Sequence, residues 1–478
     1  MQRHIGVLAD DSMRGRDTPS PELEEVARYI AAQFRRSGLA PGGDAGSYLQ
    51  RYRILRRQVD TSASFLAVRG PHPGTLKLGI DVSVLGVGRP PPRGDASGPV
   101  VVLNEPPDVT HPLGGVNVAG AWVVAFAAAS PGGGALDSSA LRVAARAGAV
   151  GILLIFHGPD PVWQGRLARS LEVALSLESA GEPAGAALPP VVEIRDAAAA
   201  SVLGLDWTVR RAGGPRRLAG VTLTLRLKQR LLYRASAPNV IGILPGSDPA
   251  LRHQYVFFTA HMDHLGVAGP SGTGACQPLG ADSICNGADD DASGTAAVIE
   301  NAAAFAQLVP HPRRSLVFMT VSGEEKGLWG SSFFVAHPTV PLAHVVADLN
   351  ADMVGRNWKD TIVAIGKEQS DLGATLDSVA AAHPELDMTP IGDLWPEENF
   401  YFRSDHYNFA RRGVPILFFF NGTHADYHQA SDSPDKIDAE KEARIIKLVF
   451  YLGLAIANAP ERPRWNPESY RQIVRPAP

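Results

Sequence analysis

Residues 255–263 read Tyr-Val-Phe-Phe-Thr-Ala-His-Met-Asp, a short apolar run that stops on His261 and Asp263. The same pattern recurs along the second half of the chain. Ser315 to Ser322 ends at Gly323-Glu324-Glu325, and Val345 to Leu349 is followed within a few residues by Asp352. Asn239 to Leu244 and Val414 to Phe420 are further runs of this kind, and helical stretches such as Thr295 to Leu308 and Leu372 to Ala382 separate them. Runs apolar on both faces, alternating with helices, predict a largely parallel sheet covered on each side. In such sheets ligands gather beyond the carboxyl ends of the strands. The polar patches stand at those ends, so topology and chemistry point to one site.

Working outward, two more patches join it: Gly287-Ala288-Asp289-Asp290-Asp291 and Tyr427-His428-Gln429. Two histidines with several carboxylates form a donor set suited to zinc. A pair of such ions implies hydrolysis by an activated water. Taken singly, the patches are weaker signals. Asp291-Ala292-Ser293-Gly294 fits a helix cap, and Glu324 to Gly327 alone reads as a charged turn. His264, His253, His311 and His344 lack companions of this kind and are expected at the surface or in packing.

The 478 residues exceed one compact core, so two or three domains are expected. A net charge of -4 gives no electrostatic case for nucleic acid or an anionic membrane. Arg35-Arg36, Arg56-Arg57 and Arg313-Arg314 read as solvated surface. No apolar run reaches the roughly 18 residues of a membrane span, and Leu448 to Ala457 fits a terminal core helix. Met1-Gln2-Arg3-His4 opens directly into folded-looking sequence, without a signal peptide. Cys276 and Cys285 are either two free thiols or a disulfide closing a short loop at the rim of the site. The second option implies an oxidising compartment.

Near the start, Ser20 caps a helix with Pro21 in its first turn, the stripe Leu23, Val26, Ala27, Ile30 and Phe34, and Gly38 as its stop. That stripe is expected to dock on the catalytic sheet. From about Gly74 to Arg230, Gly, Pro and Ala dominate. Strands are expected at Val100–Leu103, Ala121–Phe126 and Gly151–Phe156, with a helix over Leu141–Ala147 between the last two. His157, Asp160 and Glu172 read as isolated surface residues. The tail from Pro460 is expected to be an extended strap or disordered.

The segments AHMDHLG, NGADDDASGTAAVIE, SGEEKGLWGS, ADMVG and DYHQASDSPDKID, in that order, resemble the co-catalytic di-zinc aminopeptidases. Their broader metallopeptidase family includes glutamate carboxypeptidases and glutaminyl cyclases. The opening 40 or so residues are similar to that family's N-terminal segment, and the middle is similar to a protease-associated domain. The resemblance implies an α/β fold, a mostly parallel mixed sheet sandwiched by helices, with an inserted β-rich protease-associated domain. The implied boundaries are 1–73 for the N-terminal catalytic segment, 74–232 for the insert, 233–460 for the catalytic domain and 461–478 for a tail.

The same resemblance implies two zinc ions per chain. His261 and Asp352 are carried over as ligands of one, Glu325 and His428 of the other, and Asp290 as the bridge. Asp289 or Asp291 could in principle replace Asp290, since neighbouring positions differ in direction rather than type. Glu324 is implied as general base, Asp263 as the carboxylate orienting the His261 ring, and Tyr427 as a donor to the oxyanion. The stretch Trp395 to Asp405 is expected to form the substrate pocket, with Glu397, Glu398, Arg403 and Asp405 as binding groups. His406 is expected to shape that pocket without ligating.

The implied activity is release of N-terminal residues from peptides. A glutamate-releasing carboxypeptidase would need an arginine cluster for its substrate's carboxylates, and only Arg403 is so placed. A glutaminyl cyclase would typically use one zinc. A metal-free, receptor-like member of the fold would not keep all five ligand types and Glu324. Peptide is the expected partner, with no nucleic acid and no membrane, and the expected location is secreted or periplasmic with the leader absent, or else the cytoplasm.

Overall fold

The computed structural model describes all residues except 86–93, 104–112, 114, 129–142, 179–188, 206, 208–214, 270–274 and 475–478. The chain forms two compact units, residues 1–52 with 236–478, and residues 53–235.

In the larger unit the strands run in the order Thr389–Ile391, Thr361–Ile365, Ile416–Phe419, Val345–Ala351, Tyr255–His261, Ser315–Val321 and Gln229–Leu244. The centre of this sheet is parallel: Tyr255–His261 lies between Ser315–Val321 and Val345–Ala351, and Val345–Ala351 pairs in parallel with Ile416–Phe419. Antiparallel partners flank it on both sides. The mixed, mostly parallel sheet expected from the sequence is present, and its central strands are buried along their length.

The register explains the site. His261 is the last residue of its strand and pairs with Val321, the last of the next. Glu324 and Glu325 therefore emerge beside His261, and Asp352 follows one residue after Ala351. Chain direction delivers all four groups to one edge of the sheet.

The helix Pro21–Arg36 forms as expected: the Ser20 hydroxyl accepts from the Leu23 amide, and the buried residues are the stripe itself. Burying Leu23, Val26, Ile30 and Phe34 contributes roughly 1.5–3 kcal/mol apiece. Phe34 lies over Gly242 of the strand Gln229–Leu244, where a β-carbon would come within 2.9 Å of the ring. The absent side chain admits the helix. On the opposite end of the chain, Ala439–Asn458 buries Ile445, Leu448, Val449, Leu452 and Ile456, and Gly453 admits the Phe258 ring.

Two expectations are corrected here. The tail is not a featureless strap, because Asn466 caps a helix over Pro467–Ile473 and the Trp465 indole donates to the Gly413 carbonyl. Arg314 is not a solvated residue. It is 1% exposed, and its guanidinium donates to Ile456 and Ala459 carbonyls at the end of the terminal helix. An apolar-run search misses such contacts, since carbonyl acceptors belong to every residue type.

The smaller unit carries, among its described residues, an eight-stranded sheet whose centre, Asp95–Val102, Trp122–Ala128, Gly151–His157 and Val191–Arg195, is parallel. Of the expected helix at 141–147, residues 143–146 are helical and 141–142 lie outside the described residues. The unit starts at Arg53 rather than Gly74, because Phe65–Arg69 pairs with both Gly74–Lys77 and Arg216–Arg226. His157 is half exposed and is paired with Asp196. Asp160 begins the helix Asp160–Ser170 and pairs with Arg195.

Candidate metal centre

His261 is held from three sides. Its amide donates to Asp291 Oδ2, its carbonyl accepts from the Thr295 hydroxyl, and its Nδ1 lies 3.1 Å from the Asp263 carbonyl. A carbonyl can only accept, so Nδ1 donates to it and Nε2 faces the other way. Nε2 lies 3.2 Å from Asp290 Oδ1 and 3.5 Å from Asp352 Oδ1. The carboxylate of Asp263 has a different task from the one expected. Its Oδ1 is 3.8 Å from the His261 ring, while its two oxygens accept from the Thr18 hydroxyl and the Glu324 amide. It ties the His261 strand end to the Glu324 strand end, and the backbone orients the imidazole.

Asp290 stands at the centre. Its Oδ2 is 3.4 Å from His428 Nε2 and 3.8 Å from His264 Nδ1, opposite the oxygen that faces His261. The neighbouring aspartates are occupied elsewhere. Asp291 accepts from the amides of His261, Gly294 and Met353, and Asp289 accepts from the Gly355 amide and faces His424. Three adjacent carboxylates thus point three ways, and only Asp290 aims one oxygen at each half of the cluster. Glu325 completes the second half, 2.8 Å from His264 and 3.6 Å from His428. Donor atoms of His261, Asp290 and Asp352 lie within 4.8 Å of one another, and so do those of His264, Asp290 and Glu325.

The donor chemistry fits a pair of cations. His261 Nε2, both ring nitrogens of His264 and Glu325 Oε1 are buried with no hydrogen-bond partner among the described residues. Buried polar atoms left this way are costly, and cations shared between the carboxylates and imidazoles would satisfy them. Electrostatics agree. Burial pushes Glu325 up to about 8, with Asp290 adding to it and His428 and His261 opposing. Burial depresses His261, but Asp352, Asp290 and Asp291 outweigh it and hold the ring well above its ordinary range. Glu324 is raised by burial and by Glu325, Asp405 and Asp352, against His261.

His428 and Met353 adopt left-handed backbone, φ 60° and 56°. Such conformations in ordinary residues cluster at functional sites. The Cys276–Cys285 disulfide is formed, and the loop it closes pairs with this segment: the Gln277 amide donates to the His428 carbonyl and the Ala430 amide to that of Gln277. The Tyr427 ring stacks on His428 at 3.8 Å. Asp352 accepts from the Ser404 hydroxyl. Asp405 is fully buried, accepts from Ser331, and is raised to about 7 by burial. Glu397, Glu398 and Arg403 are exposed, with Arg403 3.7 Å from Glu398 and stacked over Phe400. His406 packs against Phe418 and hydrogen-bonds the Tyr401 carbonyl.

Sequence reading missed two contributors. His264, expected among surface or packing histidines, is fully buried within the cluster. Its position one residue after Asp263 was the available signal. Arg16 is also fully buried and donates to the carbonyls of Met262, Leu8, Asn286, Gly287 and Asp290. It clamps the loops that carry His261 and Asp290 from beneath.

The parallel strand ends and the carboxylate–imidazole cluster define an α/β protein with two adjoining groups of residues that could hold metal ions. The family model of peptidase family M28 matches residues 239–453. A probable zinc metalloprotease of Pyrenophora tritici-repentis is 26% identical over 49% of this chain and 54% of its own length. A probable leucine aminopeptidase of Trichophyton verrucosum is 28% identical over 46% of this chain and 58% of its own. The chain thus spans about half the length of the curated relatives it matches. Among solved structures, an aminopeptidase from Aneurinibacillus sp. strain AM-1 aligns over 98% of this chain and 95% of its own at TM-score 0.53 and 18% identity. A zinc aminopeptidase from Bacillus subtilis aligns over 96% and 95% at TM-score 0.50 and 17% identity. These two likenesses concern the fold.

Proposed function

We propose that the chain is a zinc-dependent aminopeptidase holding two zinc ions. When bound, one ion would be held by His261 and Asp352 and the other by Glu325 and His428, with Asp290 shared between them. The observation that carries this reading is the arrangement of Asp290, one oxygen toward His261 and the other toward His264 and His428, among buried donor atoms that lack partners. Paired zinc, when bound, supplies an acidified water and a polarised carbonyl.

The remaining work falls to side chains. Glu324 stands beside the ligand Glu325 on a backbone tied down by Asp263. It is the group placed to take the proton of the attacking water and pass it to the leaving amine. Tyr427, stacked on His428, is proposed to donate to the developing oxyanion. The exposed Glu397 and Glu398 are proposed to hold the substrate's α-amine, with Arg403 setting their loop by pairing with Glu398. Buried Asp405 acts at the floor of the pocket, through Ser331, rather than on substrate directly.

No helix among the described residues is long and apolar enough to cross a membrane. The disulfide supports an oxidising compartment such as the periplasm or the cell exterior. The smaller unit is proposed to be a protease-associated insertion.

The test is a profile of free against N-acetylated peptides, with and without chelator. Chelator-sensitive cleavage restricted to free amines is the expected result, and cleavage of blocked peptides refutes the aminopeptidase reading.

A further inference from the structure

His264 is a fifth-wheel residue in the five-ligand scheme, yet its surroundings are those of a ligand. Its side chain is fully buried, and neither ring nitrogen has a hydrogen-bond partner among the described residues. Nδ1 comes within 2.8 Å of Glu325 Oε1, and that oxygen is also without a hydrogen bond. At this distance a correctly aimed N–H would donate. No hydrogen bond joins them, which leaves nitrogen and oxygen both available to a cation in the space beside them. Asp290 Oδ2, 3.8 Å from the same nitrogen, borders that space, and the three donors lie within 4.8 Å of one another. The backbone makes room for this placement. At Gly287 a β-carbon would come within 2.5 Å of the His264 ring, so any larger residue would drive the imidazole out.

Resting on the two-zinc reading, we infer that His264 is a direct ligand of the Glu325-side ion, through Nδ1. The two ions are then unequal. One is held by His261, Asp352 and Asp290, and the other by His264, His428, Glu325 and Asp290. Two imidazoles with two carboxylates form a closed set of four protein donors, whereas three donors leave a position open. The Glu325-side ion should therefore be the tighter one, and the ion at His261 the one that exchanges.

The experiment measures zinc content and competition against a chromogenic chelator for the wild type, His264→Asn and His264→Ala, with circular dichroism as the folding check. The wild type is expected to hold two zinc ions, and a folded variant to bind the tighter ion at least tenfold more weakly while the other is little changed. A folded variant with both affinities within twofold of wild type overturns the inference and leaves the two-zinc reading intact. A wild type that binds fewer than two ions overturns that reading, and this inference with it. Should both variants misfold, the cobalt-substituted wild type decides. Three exchangeable, paramagnetically shifted imidazole N–H signals support ligation by His264, and two signals refute it.

Discussion

Arg16→Met tests whether the first residues of the chain build the metal centre. The guanidinium makes five donor contacts to backbone carbonyls and stands among Asp290, Asp291, Asp263 and Asp432. Burial disfavours its charge, and those carboxylates oppose that effect without cancelling it. An orphaned buried carbonyl costs about 1–3 kcal/mol. Gly287 keeps a second donor, the Ala292 amide, so fewer than five acceptors are stranded. The carboxylates also lose a buried countercharge, and breaking such an arrangement costs about 3–5 kcal/mol. The substitution is therefore expected to remove about 3–5 kcal/mol of the 5–15 typical of a domain, read as a fall in urea midpoint at constant slope. Arg16→Lys keeps the charge but not the planar fork, and should recover part of the loss. Zinc affinity should fall as well, because the stranded carbonyls of Met262 and Asp290 lie in the loops of His261 and Asp290. A loss below about 1 kcal/mol in Arg16→Met would refute the clamp. A large loss with unchanged zinc affinity would reduce Arg16 to a staple of the fold.

Glu324→Gln should lower kcat by about 10²–10⁴ while zinc content stays at the wild-type level, and loss of zinc would move Glu324 into the ligand set. Asp348 is buried and pushed up to about 8 by burial, so the folded chain keeps a proton that the unfolded chain releases near pH 4. Stability then falls as pH rises through that window and levels off above 8, by up to roughly 5 kcal/mol. Asp348→Asn should cancel this slope between urea midpoints at pH 5 and pH 8, and equal slopes in the two proteins would contradict it. The Thr259 hydroxyl supports a protonated Asp348, since it lies 2.8 Å from both Asp348 and Asn350 with one hydrogen to give. Replacing Cys276 and Cys285 together by Ala should cost about 3 kcal/mol from the short loop alone and weaken metal on the His428 side. A variant with native zinc affinity would separate the loop from the site. Glu397→Gln and Glu398→Gln should each raise KM for aminoacyl-nitroanilides, and unchanged KM in both would remove the proposed amine anchor.

Much of the larger unit was legible in sequence because its signals are local. Apolar runs of strand length, a Ser-Pro helix start and an even apolar stripe each depend on residues a few positions apart. Parallel strands bring their ends to one edge, so residues following each run could be assigned to a common site. That argument places His261, Glu324, Glu325 and Asp352 together from sequence alone. Residues 53–73 pack with the smaller unit because strand partners are chosen by tertiary pairing, and Phe65–Arg69 finds its partners further along the chain.

What the sequence by itself determined is the inventory and its topological order: which side chains can bind a cation, and at which strand ends they stand. Only the tertiary structure decided direction. It turned Asp290 to both halves of the cluster while Asp289 and Asp291 served backbone amides, gave the orientation of His261 to the carbonyl rather than the carboxylate of Asp263, and brought His264 and Arg16 inside. The physical reason is that donor type is a property of one residue, whereas aim and burial are set by everything packed around it.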